Sequence, residues 1–228
     1  VLRAGPVPES DPDEPSHVIR VEGLQWWWRV TYVQPDGSEI EAANEIRIPV
    51  GEPVRLELIS ADVIHSLWIP AYAGKLDMIP GHTNMLTLLA SEPGTVRGQC
   101  AEYCGGAHAL MALSVTAVLP PSYERWLAGQ AEPAHAEETT GQRAFLSAGC
   151  GGCHTIRGSS ARGRVGPDLT HLASRPSLGA GTLENDAEGL ARWLDDHHQV
   201  KPDNLMPDYD FLPASEQAEI VTYLSELE

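Results

Sequence analysis

Residues 98–111 read Gly98-Gln99-Cys100-Ala101-Glu102-Tyr103-Cys104-Gly105-Gly106-Ala107-His108-Ala109-Leu110-Met111. Two thiols, an imidazole and a thioether stand close together in this stretch, a set of soft ligands that favours copper. One cysteine with His and Met would suit a mononuclear blue-copper site. Two cysteines four apart, with His65 upstream as a second imidazole, can instead bridge two copper ions through both sulfurs. Two metals that share charge through bridging thiolates change each bond little when an electron arrives, which suits electron transfer. His65 and His108 supply one terminal nitrogen per copper, and Met111 or a backbone carbonyl near Glu102 can serve as a weak axial donor. A Cys100–Cys104 disulfide or a Cys2His2 zinc site would draw on the same side chains, although zinc gives Met111 no role.

Around this stretch the chain is punctuated by Gly, Pro and Asn between short β-like runs: Val18 to Val21, Trp26 to Val33, Val54 to Ile59, Met85 to Leu89 and Leu113 to Leu119. Strands at this spacing predict a β-sandwich, with the cysteine stretch as a loop between two late strands and His65 on an earlier one. Residues 1–17 are rich in Pro, Asp and Glu and read as an exposed lead-in. Pro120 and Pro121 end the last strand, Ser122 to Leu127 suit a short helix, and residues 129–138 read as a flexible linker. From Thr139 the period becomes helical, with expected helices at Gly141 to Ala148, Glu188 to His197 (capped by Asp186) and Ser215 to Leu227.

The second helical half opens on Cys150-Gly-Gly-Cys153-His154, the C-x-x-C-H pattern that attaches a c-type haem. The two motifs use all four cysteines, so none is left for a structural disulfide framework. Haem attachment of this kind places assembly outside the cytoplasm. The net charge of -17 excludes nucleic acid as a partner, because phosphate contacts need Lys and Arg; it suits steering of a basic protein. No run reaches the roughly 18–20 apolar residues of a membrane span. The chain begins at Val1 without a signal peptide and is expected to be a processed or shortened form, soluble as given.

Four segments, Gln25-Trp26-Trp27-Trp28, Ile64 to Pro70, Lys75 to Gly81 and Gly98 to Met111, resemble subunit II of cytochrome c oxidases, whose extramembrane cupredoxin domain holds the binuclear CuA centre. The likeness spans nearly all of residues 18–119. It implies CuA ligation by the side chains of His65, Cys100, Cys104, His108 and Met111 and by the Glu102 carbonyl, with His65 and Met111 on one copper and His108 and Glu102 on the other. It further implies that the Glu102 carboxylate binds magnesium at the interface with subunit I, and that Trp26 matches a surface tryptophan at which electrons from cytochrome c arrive. Leu24 stands where this family usually has His, and His82 where a basic residue is common. The two N-terminal membrane helices of the family are missing, so the chain is expected to start just after them.

Gly166-Pro167-Asp168-Leu169 and Asn204-Leu205-Met206-Pro207, which follow the haem motif, extend the likeness to class I cytochromes c over residues 139–228. That resemblance implies covalent haem at Cys150 and Cys153, axial iron ligands His154 and Met206, and a contact from the Pro167 carbonyl to the outer nitrogen of His154. His171, His197 and His198 are expected to be exposed, and Met78 and Met85 to be core. The whole resembles subunit II of caa3-type oxidases. The expected fold is an all-β cupredoxin-like Greek-key sandwich (residues 18–128), then an all-α class I cytochrome c domain. The implied role is to take electrons from a soluble cytochrome c or another respiratory donor through haem c to CuA and on to haem a of subunit I, at the outer face of the bacterial cytoplasmic membrane. No oxygen-reducing site lies in this chain itself. The rival readings are the electron-accepting unit of a CuA-containing nitric oxide reductase, and a copper delivery or storage module, which would have no use for a haem.

Overall fold

A computed structural model describes residues 15, 17–134 and 139–228, which leaves most of the expected lead-in, part of the expected linker and His135 outside the described residues. The chain divides into two compact units, Val1–Gly129 and Gln130–Glu228.

The first unit contains β1 (His17–Leu24), β2 (Trp27–Val33), β3 (Glu39–Ala43), β4 (Glu45–Pro49), β5 (Val54–Ser60), β6 (His65–Trp68), β7 (Leu76–Met78), β8 (Asn84–Leu88), β9 (Gly94–Cys100) and β10 (Ala112–Val118). They form two five-stranded sheets, ordered β3-β2-β1-β5-β8 and β4-β10-β9-β6-β7. Both sheets are mixed: β1 runs parallel to β5, and β10 parallel to β4. Alternate residues of each strand point inward, as a half-buried strand requires. Ile19 and Val21 of β1, Leu56 and Leu58 of β5, Ile46 and Ile48 of β4 and Val115 of β10 meet in one apolar core. Trp28, fully buried, closes the core on the His65 side, with ring centroids 6.2 Å apart. Met78 lies in this core as expected, but Met85 is 55% exposed. Strand alternation turns it outward, between Asn84 and Leu86.

Two prolines both end the sandwich and start a helix. α1 (Pro120–Ala131) is longer than the Ser122 to Leu127 expectation, because Pro in a first helical turn forfeits no intrahelical bond. Tyr123 and Trp126 anchor it: Trp126 packs on Tyr32 at 5.1 Å and under the Arg47 guanidinium at 4.6 Å. Gly129, where the sequence places the start of a linker, is helical.

The second unit holds α2 (Thr140–Ser147), α3 (Ala187–Val200) and α4 (Ala214–Ser225). Thr139 and Asp186 cap the first two, accepting from the amides of Gln142 and Gly189, contacts that each contribute about 1 kcal/mol. α2 and α4 cross at Gly141, where a Cβ would stand 2.2 Å from the Glu219 carbonyl. Phe145 and Tyr223 pack edge to face beside that crossing, 5.9 Å between centroids. The unit is not purely helical: a small hairpin of β11 (Ser177–Leu178) and β12 (Leu183–Glu184) precedes α3, turned by Gly179, Ala180 and Gly181 in the left-handed region. α3 breaks at Asp196 (φ -152°, ψ 56°) before its last turn. Among the described residues no helix is long and apolar enough to cross a membrane.

Candidate copper and haem sites

Cys100 ends β9, and the loop that follows returns to β10. Two bonds close its base: the Cys100 amide donates to the Met111 carbonyl and the Ala101 amide to the Ser66 carbonyl, at 2.9 and 2.8 Å. β6 pairs with β9, Leu67 opposite Cys100, so that His65 arrives beside the loop from the neighbouring strand. The result gathers every residue expected there. Cys100 Sγ lies 3.7 Å from Cys104 Sγ, 4.0 Å from His65 Nδ1 and 3.2 Å from the Glu102 carbonyl. Cys104 Sγ lies 3.5 Å from His108 Nδ1 and 3.9 Å from Met111 Sδ. The sulfurs are far beyond a disulfide bond of about 2.05 Å, and both thiols are free and buried.

The two thiols titrate as a pair. The hydrogen bond from Cys104, followed by those from His65 and the Ser66 and Glu102 backbone, outweighs burial and holds Cys100 far below the ordinary thiol range. The same hydrogen bond, followed by burial, pushes Cys104 up. The pair thus favours a proton on Cys104 over one on Cys100, and the thiolate is the form a soft metal binds. Burial would lower the His65 pKa, but its contacts with Cys100 and Asp62 prevail and raise it.

Three further features orient this cluster. Asp62 receives His65 Nε2 at 2.7 Å and the Gln25 amide at 2.7 Å. It thereby turns Nδ1 toward the sulfur, the arrangement by which carboxylates fix a metal-binding imidazole. Gln25 Nε2 and Trp26 Nε1 both donate to the Cys104 carbonyl, at 2.8 and 3.0 Å. Trp26 is only 6% exposed, so it differs from the surface tryptophan that the family likeness implies: its indole is spent on the loop. Gly23 is the third. It faces inward on β1, and a Cβ there would meet His65 Cδ2 at 2.8 Å and Cγ at 2.9 Å. Gly23→Ala is therefore expected to weaken copper retention by about 5- to 150-fold, the equivalent of the roughly 1–3 kcal/mol that overpacking costs. Chelator competition measures it, with Gly74→Ala, where a Cβ meets nothing within 4 Å, as the unaffected control.

In the second unit the backbone of Cys150–Gly152 forms a tight turn, and the His154 amide donates to the Cys150 carbonyl at 2.9 Å. His154 Nδ1 stands 2.7 Å from the Pro167 carbonyl, which makes Nδ1 the N–H and leaves Nε2 as the free lone pair. Burial lowers the His154 pKa, with the Pro167 bond opposing, a shift toward the neutral imidazole that binds iron. Gly166 explains the first residue of its motif: a Cβ would lie 2.5 Å from His154 Cε1. Cys150 is buried, which raises its pKa against a bond from Tyr209; burial also pushes Tyr209 up to about 12.

The Met206 amide donates to Asn204 Oδ1 at 3.0 Å, and its sulfur accepts from the Trp193 indole at 3.3 Å. Of the histidines expected at the surface, His198 is partly exposed, but His171 and His197 are buried. Their nitrogens explain why: His171 Nε2 bonds the Glu132 carbonyl at 3.1 Å, and His197 Nε2 the Met206 carbonyl at 2.9 Å. Trp193 was hidden in the sequence as one apolar residue of an amphipathic helix, with no spacing to single it out.

Residues 33–118 match the family model for the periplasmic domain of cytochrome c oxidase subunit II, and residues 138–228 that for cytochrome c. Cytochrome c oxidase subunit 2 of Alkalihalophilus pseudofirmus is 36% identical over 227 residues, covering 96% of this chain and 65% of that protein. The protein of the same name from Bacillus sp. strain PS3 is 32% identical over 207 residues, covering 85% of this chain and 57% of that protein. The chain thus spans somewhat less than two thirds of the length of these relatives. A crystal structure of the periplasmic domain of subunit II of cytochrome oxidase from Bradyrhizobium japonicum aligns with 52% of this chain and 95% of that one, at 29% identity and a TM-score of 0.49. The chain belongs to the cytochrome c oxidase subunit II family, in the form whose periplasmic domain is followed by a cytochrome c domain.

Proposed function

We propose that this chain is the electron-accepting part of a caa3-type haem-copper oxidase, with a CuA domain over residues 18–128 and a haem c domain over 139–228, joined through residues 129–138, of which 129–131 are the end of α1. The observation that carries the reading is the convergence of Cys100, Cys104, His65, His108, Met111 and the Glu102 carbonyl on one buried cluster. The donor set fits two coppers better than one zinc, since a thioether and a carbonyl are weak axial donors with no place in a closed zinc tetrahedron. Bound there and at the Cys150–Cys153–His154 turn, CuA and haem c supply one-electron carriers in the order donor, haem c, CuA, haem a of subunit I.

The protein's own residues do the rest. Burial of Cys100, Cys104 and Met111 keeps water from the metals, and the strand-pinned loop holds their ligands still, so little reorganises on electron transfer. Asp62 and the Pro167 carbonyl set the tautomers of His65 and His154. Trp26 couples to the copper loop through the Cys104 carbonyl, a route inward for an electron. Met206 would hold the haem iron with His154 and keep other ligands from it, and the Glu102 carboxylate would hold magnesium with groups of subunit I. The chain works outside the cytoplasm, docked on subunit I, with a soluble cytochrome c or another respiratory carrier as donor.

Rapid photoreduction of the haem in the fully oxidised, copper-loaded chain tests this directly: reoxidation of the haem must keep step with reduction of copper. A haem that stays reduced would defeat the relay. Trp193→Phe keeps the ring but loses the N–H that draws charge from the Met206 sulfur; a lowered haem potential in redox titration is expected, with the spectrum of Met ligation retained.

A further inference from the structure

Beside Met206, but separate from its sulfur, lies a second group of metal-type donors: one ligand atom each of His197, His198 and Asp208, all within 4.8 Å of one another. We propose that these three residues form a binding site for one divalent zinc-class ion. The argument begins with His197. It is 1% exposed, and its Nε2 stands 2.9 Å from the Met206 carbonyl. A nitrogen facing a carbonyl carries the proton, so Nδ1 holds the lone pair, and Nδ1 is buried with no hydrogen-bond partner among the described residues. Burying such a group unsatisfied costs about 1–3 kcal/mol. A metal-bound imidazole has this same pattern, with one nitrogen on the metal and the other donating to a carbonyl.

His198 and Asp208 supply the remaining geometry. His198 Nε2 lies 3.3 Å from Asp208 Oδ1. Two donors placed about 2.0–2.2 Å from one tetrahedral ion stand roughly 3.3–3.5 Å apart, so the ion would replace the proton between imidazole and carboxylate without moving either. His197 and His198 follow the break of α3 at Asp196, in its last turn. Their rings lie 4.4 Å apart, tilted by 40°. His198 and Asp208 have 40% and 70% of their side-chain surface exposed, which leaves the ion a way in and a place for water as fourth ligand. Two nitrogens and one oxygen suit zinc rather than magnesium or calcium, which prefer oxygen alone. Such an ion would tie the end of α3 to the segment just after Met206.

The test is zinc titration of the haem- and copper-loaded chain against a chromophoric chelator. One Zn2+ per chain is expected. His198→Asn and Asp208→Asn should each weaken it at least tenfold with haem spectrum and melting temperature unchanged, and zinc-edge absorption should show nitrogen and oxygen neighbours without sulfur. The double variant Cys100→Ser/Cys104→Ser should bind zinc as tightly as the parent. No zinc bound, affinity unchanged in both His198→Asn and Asp208→Asn, or sulfur in the zinc shell overturns the proposal.

Discussion

Cys104→Ser should reduce the copper content from two ions per chain to one at most. The argument is geometric. Cys104 Sγ is the hub of the cluster, within 3.5–3.9 Å of His108 Nδ1, Cys100 Sγ and Met111 Sδ. A serine oxygen is hard, poorly matched to copper beside soft ligands, and it cannot bridge two ions as a thiolate does. Hyperfine lines from two equivalent nuclei in the paramagnetic resonance spectrum should give way to those of a single copper. Electron transfer from the haem should slow by at least ~100-fold, about 2.7 kcal/mol of barrier. The strand frame does not depend on this sulfur, since backbone bonds close the loop at Cys100 and Ala101, so circular dichroism should be unchanged. A two-copper spectrum surviving in the variant would remove the binuclear assignment.

Met206→Ala should act as strongly on the second unit. Thioether ligation favours ferrous iron, and axial ligands set haem potentials over a span of ~0.8 V; loss of Met206 is expected to lower the potential by on the order of 0.1 V or more. The opened position should bind carbon monoxide in the reduced state. Unchanged potential together with no carbon monoxide binding would show that another side chain is the distal ligand. The burial of His197 and its bond to the Met206 carbonyl argue against it as that substitute, and His198, turned toward Asp208, is no better placed.

Much of this was legible before any coordinates. Runs were named for five of the ten strands and fall within a residue of the observed bounds, except that β1 continues three residues further, to Leu24; alternation is strong where one face is buried, as in Ile19, Val21, Leu56 and Leu58. The start of α3 followed from the capping side chain of Asp186, whereas the Thr139 cap of α2 emerged only with the fold. Two expectations missed. α1 starts two residues before its expected span because Pro120 and Pro121 fit a first helical turn. Met85 faces outward although its side chain is apolar, since burial depends on what the neighbouring strands present.

The sequence by itself brought the proposed ligands together. Cys100, Cys104, His108 and Met111 lie on one short loop, and Cys150, Cys153 and His154 on one turn; side chains this near in the chain are near in any fold that orders the segment. Only the tertiary structure decided how they are aimed. Asp62 on His65, Gln25 and Trp26 on the Cys104 carbonyl, Gly23 clearing room for an imidazole and Trp193 on the Met206 sulfur set tautomer, loop position and sulfur charge. Most of these contacts join different strands, or a helix to a loop, and depend on sheet register and packing. A hydrogen bond needs its partners placed to within a few tenths of an ångström, and local spacing does not supply that precision.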